Sequence, residues 1–327
     1  MNTLRQQRKQ FCTLALAVCA GAYFAAPSGL HAAMVGSDNA NNYSATTWSS
    51  TPANLGTGLG PWATAGNSST APYTGVYLNK PSYDPSLIGS GTYSAWAIYS
   101  DYPTASTIGT ENVYRALNNS AGTGLGTLRV GQQISVDMAL QNSTGTVNSN
   151  AQAASFGLGF MTGSGTSGTT NVLQVAFTEL APGSGGNTSA SNALETTLTT
   201  ATSSATYIQG VNANAIADAD INNSSATSGS GITATLAITG GGSGSYGYSL
   251  TLTPLNGDKA AVYSGTLTGS INQIGIFYTG NQASSSYNAF FNNLSVSNST
   301  PTPEPASLFL LAAGAGGLLL SRRRLPA

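Results

Sequence analysis

Ile134, Val136, Met138 and Leu140 are separated by Ser135, Asp137 and Ala139, and that spacing of two decides what this chain can become. Side chains alternate across a β-strand, so the pattern gives one apolar and one polar face and does not fit a helix. The same spacing returns at Phe156, Leu158 and Phe160, and at Leu173, Val175 and Phe177. It continues through Ile232–Ile238, Tyr246–Leu252, Ile274–Tyr278 and Phe291–Val296, while Tyr93, Ala95, Ala97 and Tyr99 alternate with Ser94, Trp96 and Ile98. Gly, Asn and Ser turns divide these runs, and no amphipathic helix of useful length interrupts them. Short strands with one apolar face pack as two sheets or as a closed barrel. The length of the chain and the uneven turns favour the sandwich, so the expected class is all-β.

The sandwich is expected over residues 73–297. Residues 34–72 read as a turn-rich segment of the same ectodomain, with Trp48 and Trp62 among Gly, Ser, Asn and Pro and one or two strands. Two Ser/Thr/Gly/Asn-rich stretches, 181–206 and 222–231, read as long surface loops or disorder.

The two ends of the chain carry different chemistry. Arg5, Arg8 and Lys9 precede an apolar run from Phe11 to Ala26, and small residues follow; this is a signal-peptide pattern over 1–33 with cleavage expected near Ala32 or Ala33. A lipoprotein reading of Leu16-Ala17-Val18-Cys19 fits less well, because Val18 is large for the position before the cysteine. At the other end, over 298–327, Pro303-Glu304-Pro305 precedes fifteen uncharged residues, 306–320, and then Arg322, Arg323 and Arg324. The prolines keep their segment out of a helix. The apolar run spans roughly 22 Å as a helix, short of a ~30 Å hydrocarbon core, and the arginines hold its end on the cytoplasmic side. Such a helix suits transient inner-membrane insertion better than a lasting anchor; a plain C-terminal anchor is the alternative.

This tail resembles the PEP-CTERM sorting signal of Gram-negative bacteria in motif order, spacing and terminal position. The resemblance implies cutting by an exosortase at or near Pro303-Glu304-Pro305, and signal peptidase is the expected partner at the other end. It also implies delivery to the cell surface or the extracellular matrix.

With the ends removed, Cys12, Cys19 and His31 go too, so the remaining chain has neither cysteine nor histidine. Four cations (Lys80, Arg115, Arg129, Lys259) face ten acids (Asp38, Asp84, Asp101, Glu111, Asp137, Glu179, Glu195, Asp218, Asp220, Asp258), a net charge of −6. That excludes nucleic acid as a partner, since neutralising phosphates takes clustered Lys and Arg. Catalysis through Ser-His-Asp or Cys-His is closed, as is a thiolate or imidazole zinc site. Carboxylate chemistry stays open, but no E-x-D-x-x-E strand occurs, and Glu111 and Glu179 read as solvated charges at strand ends. No catalytic residue is assigned.

Two weaker sites are expected. Asp218, Asp220 and Asn222 form a D-x-D-x-N run of hard oxygen ligands that suits calcium, without the glycine and final glutamate of an EF-hand loop. Trp96, Tyr99 and Tyr102 suit stacking against sugar rings, with ordinary core packing as the alternative. Arg129-Val130-Gly131-Gln132 before the strand at Ile134, the Phe156–Phe160 glycine-spaced run and the closing Phe291-Asn292-Asn293-Leu294-Ser295-Val296 together resemble concanavalin-like (laminin-G-like) jelly rolls. That resemblance implies a jelly-roll-like sandwich whose relatives bind carbohydrate, some with calcium; Asn292 departs from the aspartate commoner there. The expected function is a surface or matrix protein, structural or weakly binding extracellular polysaccharide in exopolysaccharide or biofilm. The rival readings are a glycosidase with paired carboxylates and a self-assembling surface protein.

Overall fold

A computed structural model gives the fold. It describes residues 34–44, 55–66, 73–79, 95–101, 109–118, 126–141, 155–164, 167–180, 193–201, 206–209, 231–242, 244–280 and 288–298. Fifteen strands follow in order: β1 Met34–Asp38, β2 Leu59–Gly66, β3 Tyr73–Asn79, β4 Ala95–Asp101, β5 Gly109–Leu117, β6 Gln132–Gln141, β7 Ser155–Ser164 and β8 Ser167–Leu180. After them come β9 Ala193–Thr200, β10 Thr206–Gln209, β11 Ile232–Gly242, β12 Ser245–Pro254, β13 Ala261–Thr268, β14 Gln273–Gly280 and β15 Asn288–Asn298. One 3-10 turn, Ala40–Asn42, follows β1.

The strands form two antiparallel sheets. The first runs β13-β12-β11-β6-β15-β4-β3, with β1 added beside β15; the second runs β10-β9-β8-β7-β14-β5-β2. Consecutive strands β4 to β7 alternate between the sheets, so the chain laces the layers together as a jelly-roll-like sandwich. The alternating residues meet in one interior: Ile134, Val136, Met138 and Leu140 of β6 face Phe156, Leu158 and Phe160 of β7 and their neighbours. Burying an aliphatic or aromatic side chain contributes about 1.5–3 kcal/mol each, which is why the period of two fixes strand orientation.

The segment before Tyr73 supplies a strand to each sheet, so the sandwich begins at Met34 rather than at Tyr73. The stretch 181–206 is not all loop: β9 lies within it and pairs with β8 from Leu173↔Thr200 to Leu180↔Ala193. Its threonines suit a pleated strand, and Thr196 and Leu198 point inward, a period of two that the low complexity conceals. The Arg129–Gln132 stretch is a tight turn into β6. Gln132 N–H donates to Arg129 O at 2.9 Å, and Gly131 at φ +79° takes the left-handed position.

Among the described residues no helix is long and apolar enough to cross a membrane. The sorting tail (Pro303, Glu304, Pro305 and Arg322 to Arg324) and the cleavage residues Ala32 and Ala33 lie outside the described residues, as do Tyr102, Asp218, Asp220 and Asn222.

Candidate functional site

Two polar centres stand out, one between the sheets and one on an outer surface. The inner centre begins with strand parity. In β5 the inward row is Glu111, Val113, Arg115 and Leu117, so an arginine must enter the core. Across the interior, Asp38 at the end of β1 stands opposite Leu294 of β15 and turns inward with it. The two side chains meet at 2.7 Å, Arg115 Nη2 to Asp38 Oδ2, with both fully buried. This ion pair therefore ties the first sheet to the second.

The surroundings answer the cost of burying two charges. Asp38 Oδ2 also accepts Tyr43 O–H at 2.6 Å and Trp62 Nε1–H at 3.0 Å. Its Oδ1 accepts Asn39 N–H at 2.9 Å and Asn42 Nδ2–H at 3.4 Å. The Arg115 guanidinium lies 4.9 Å over the Trp62 ring, a cation–π contact, and its Nη1–H donates to the Tyr43 phenolic oxygen (Oη) at 3.4 Å. Trp62 packs edge-on to Trp96 at 4.9 Å, and Tyr43 does so at 6.0 Å. Gly56 closes the cluster. A Cβ there would lie 2.6 Å from Arg115 Nη2 and 2.7 Å from Asp38 Cγ, so only glycine fits. Burial pushes the Tyr43 phenol above its usual pKa, although the Arg115 charge pulls the other way; burial also lowers the arginine, against the Asp38 charge.

Such a centre holds structure rather than substrate. Its carboxylate is neutralised by the arginine and surrounded by donors, so it offers no base. Glu111 is also buried, at 3 % exposure, and is not the solvated strand-end charge expected of it; the parity of β5 carries it inward. It lies four residues from Arg115, about 14 Å along the strand at ~3.4 Å per residue.

The outer centre is on the far face of the first sheet. Asp137 of β6 accepts Thr233 Oγ1–H at 2.5 Å and Asn293 Nδ2–H at 2.8 Å. Asn293 sits at φ +51° in a register shift between Asn292 and Ser295, which turns its amide toward Asp137 and toward Asn39. Asn292 beside it is buried and accepts Ala40 N–H at 2.9 Å, anchoring the turn after β1. Strand register then lays out two polar rows: Asp137–Thr233–Thr253, and Ser135–Thr235–Thr251 with Ser135 and Thr235 hydroxyls 2.9 Å apart. Toward the opposite edge of that sheet, Tyr77 and Tyr99 stand 5.9 Å apart, and Tyr99 covers Gly75.

Of the expected sugar-stacking residues, Tyr99 is half-exposed on this outer face. Trp96 is not available: at 1 % exposure it points into the sandwich against Trp62, because it alternates with Ala95 and Ala97 rather than sharing their face. Tyr77 stands next to Tyr99 instead. The sequence reading missed it, although its pairing parity with Tyr99 follows once β3 and β4 are set side by side. Among the described residues no three His, Cys, Asp or Glu side chains gather as a metal site.

No family model matches the chain, and no curated protein matches it either. Among solved structures, it is similar to the CBM2 module of the evolved Dit of Lactobacillus casei BL23 phage J-1, at 12 % identity over 73 % of this chain and 97 % of that one, with a TM-score of 0.39. It is also similar to the VIP36 exoplasmic/lumenal domain in a Ca2+/Man3GlcNAc-bound form, at 8 % identity over 72 % and 84 % of the two chains and a TM-score of 0.37. The Bauhinia forficata lectin in complex with GalNAc gives 11 % identity over 72 % and 97 % and a TM-score of 0.32. Likeness this distant carries no function across, and the fold rests on the strand pairing described above.

Proposed function

We propose that this chain is a secreted, exosortase-processed protein of the surface or extracellular matrix of a Gram-negative bacterium. Its precursor is exported by the 1–33 signal peptide, is held transiently in the inner membrane by the 306–320 helix, and is cut by signal peptidase and exosortase. In the matrix the sandwich meets polysaccharide, as structure or by weak binding, and catalyses nothing. The observation that supports the binding part is the outer face of the first sheet at its two accessible parts, the cross-strand rows of hydroxyl, carboxylate and amide groups and the half-exposed tyrosine pair toward the β3 edge, which are divided by Ala95, Ala97, Ala139 and Phe290 of the same face, all fully buried. Hydroxyl-rich chains suit such a surface: ring faces stack on tyrosine, and sugar hydroxyls exchange hydrogen bonds with Ser, Thr and Asn. Tyr99 and Tyr77 carry the stacking, with Tyr102 close by in sequence. Asp218, Asp220 and Asn222 are the proposed calcium ligands. Against the glycosidase reading stands Asp38, whose carboxylate is fully engaged by Arg115, Tyr43 and Trp62.

The test is co-sedimentation of residues 34–299 with the producer's exopolysaccharide, with and without a calcium chelator. Saturable binding, weakened at least fivefold by Tyr99→Ala with Tyr77→Ala, is the expected result. Loss on chelation, reproduced by Asp218→Ala with Asp220→Ala, assigns calcium to Asp218, Asp220 and Asn222. Absence of binding at high protein concentration leaves the structural role and removes the binding one.

A further inference from the structure

Five of the described strands stand at a sheet edge, and they are not equally protected; the outer side of β1 is taken at Ser37 by Thr57, with both N–H groups donating to the opposite carbonyl at 2.8 Å. β2 carries Pro61 and a register shift between Leu59 and Trp62, both of which spoil pairing with a new strand. β10 is four residues long and shifted between Tyr207 and Gln209. β3 runs directly into Lys80 and Pro81 in the sequence. β13 has none of these. It is eight residues, Ala261 to Thr268, without charge or proline, and its register with β12 is unbroken from Ala261↔Leu252 to Thr268↔Ser245. Val262 is 63 % exposed, and Ser264, Gly265, Thr266 and Thr268 are exposed with it. Among the described residues no strand pairs with its outward side.

We propose that β13 pairs antiparallel with β13 of a second copy of this chain, continuing the first sheet across a two-fold axis. This inference stands apart from the polysaccharide reading and does not depend on it. An antiparallel strand is its own partner under two-fold symmetry, so no second surface has to be found. Opposed residues must share a face, which requires the axis to pass through a residue rather than between two. An axis at Gly265 meets that condition. It sets Tyr263 against the second copy's Leu267 on the core side, and Ser264 against the second copy's Thr266 on the outer side. Val262 then meets the second copy's Thr268. The paired stretch contains no charge, so the net charge of −6 stays outside the contact; the nearest charges, Asp258 and Lys259, lie beyond the last pair. Eight residues a side is well short of the roughly 20–30 of a standard stable interface. The contact is therefore weak in dilute solution and fills where copies are crowded, as on a surface or in a matrix.

Sedimentation velocity of residues 34–299, which hold every described strand and the whole core, tests this over a concentration series. The expected result is reversible growth in mass with concentration. Val262→Lys with Ser264→Lys sets like charges across the axis and should move association to at least tenfold higher concentration, with an unchanged melting midpoint. If that variant melts early, Thr268→Lys alone takes its place. Residues 34–299 contain no cysteine, so Ser264→Cys is a clean cross-linking reporter: its two copies stand diagonally across the axis, about 8 Å apart and beyond a direct disulfide, and a short bis-maleimide should join them into a covalent dimer, whereas Val130→Cys, exposed in the turn before β6, should not be joined. A monomer at every concentration overturns the proposal. So does a lysine variant that assembles like the parent, or Val130→Cys cross-linking as readily as Ser264→Cys.

Discussion

Two aspartates of the first sheet, Asp38 and Asp137, differ in everything except residue type. Asp38 is buried between the sheets, meets a full positive charge at 2.7 Å and takes hydrogen bonds from a tyrosine and a tryptophan. Asp137 is half-buried on the outer face and is held by two neutral partners, Thr233 and Asn293. In low dielectric the carboxylate of Asp38 and the guanidinium of Arg115 each make the other tolerable, and neither survives alone. Water supports Asp137 whatever its neighbours do. The inner centre is therefore a joint between layers, whereas the outer one is surface chemistry that can change at small cost to the fold.

The largest expected effect comes from breaking the joint on one side. Asp38→Ala leaves Arg115 buried without its counter-ion and should cost about 3–5 kcal/mol of unfolding free energy, read from urea titration of residues 34–299. Asp38→Leu with Arg115→Met removes both charges and should recover much of that loss. If the double variant is as unstable as the single, packing rather than charge is what the pair supplies.

Gly56→Ala probes the same joint from its rim. A methyl at 2.6–2.7 Å from both partners has no room, and overpacking of this kind costs about 1–3 kcal/mol. Tyr43→Phe probes the hydroxyl that donates to Asp38 and accepts Leu55 N–H at 3.1 Å. Its cost should be about 1.5–3 kcal/mol, as for hydrogen bonds to charged groups. It also has a signature in pH. The Tyr43 pKa is raised in the folded chain by burial, so its contribution to stability is intact below the unfolded value of about 10 and lost as pH rises through the folded one. Replacing it should flatten the alkaline decline in stability above about pH 10. An unaltered slope would mean that the buried Tyr114 and Tyr248 and the half-buried Tyr263 carry the decline.

The joint was partly legible in the sequence. Alternation placed Ile134 to Leu140, Phe156 to Phe160 and Leu173 to Phe177 inward, and they form the core. The same parity in Glu111-Asn112-Val113-Tyr114-Arg115 points Glu111 and Arg115 inward with Val113, but a rule that sends charges to water hid it. Asp38 could not be paired with Arg115 from sequence, because 76 intervening residues give no local sign that β1 and β5 face each other. Trp96 was misplaced for a related reason: an aromatic residue in a strand serves either face, and only the register of β4 against β15 and β3 decides. The threonine rows of the outer face were invisible for the opposite reason. Each is a single hydroxyl in a chain full of them, and only cross-strand register lines up Asp137, Thr233 and Thr253.

Asp137→Ala is the smallest of these effects and the one that completes the contrast. It removes acceptors from Thr233 and Asn293, both of which lie where water can replace them, so the net cost should be about 1 kcal/mol. The local geometry is the more sensitive readout. Asn293 holds φ +51° and bridges Asp137 to Asn39, so losing the carboxylate should loosen the bulge and the Ala40–Asn42 turn that Asn292 anchors. Amide hydrogen exchange at Asn293 and in that turn should quicken while the strands on either side keep their protection. A cost above about 3 kcal/mol would place Asp137 in the same class as Asp38, and the distinction between joint and surface would fail. Faster exchange confined to the turn would leave Asp38 and Arg115 as the pair that ties the layers together and Asp137 as part of the face they support.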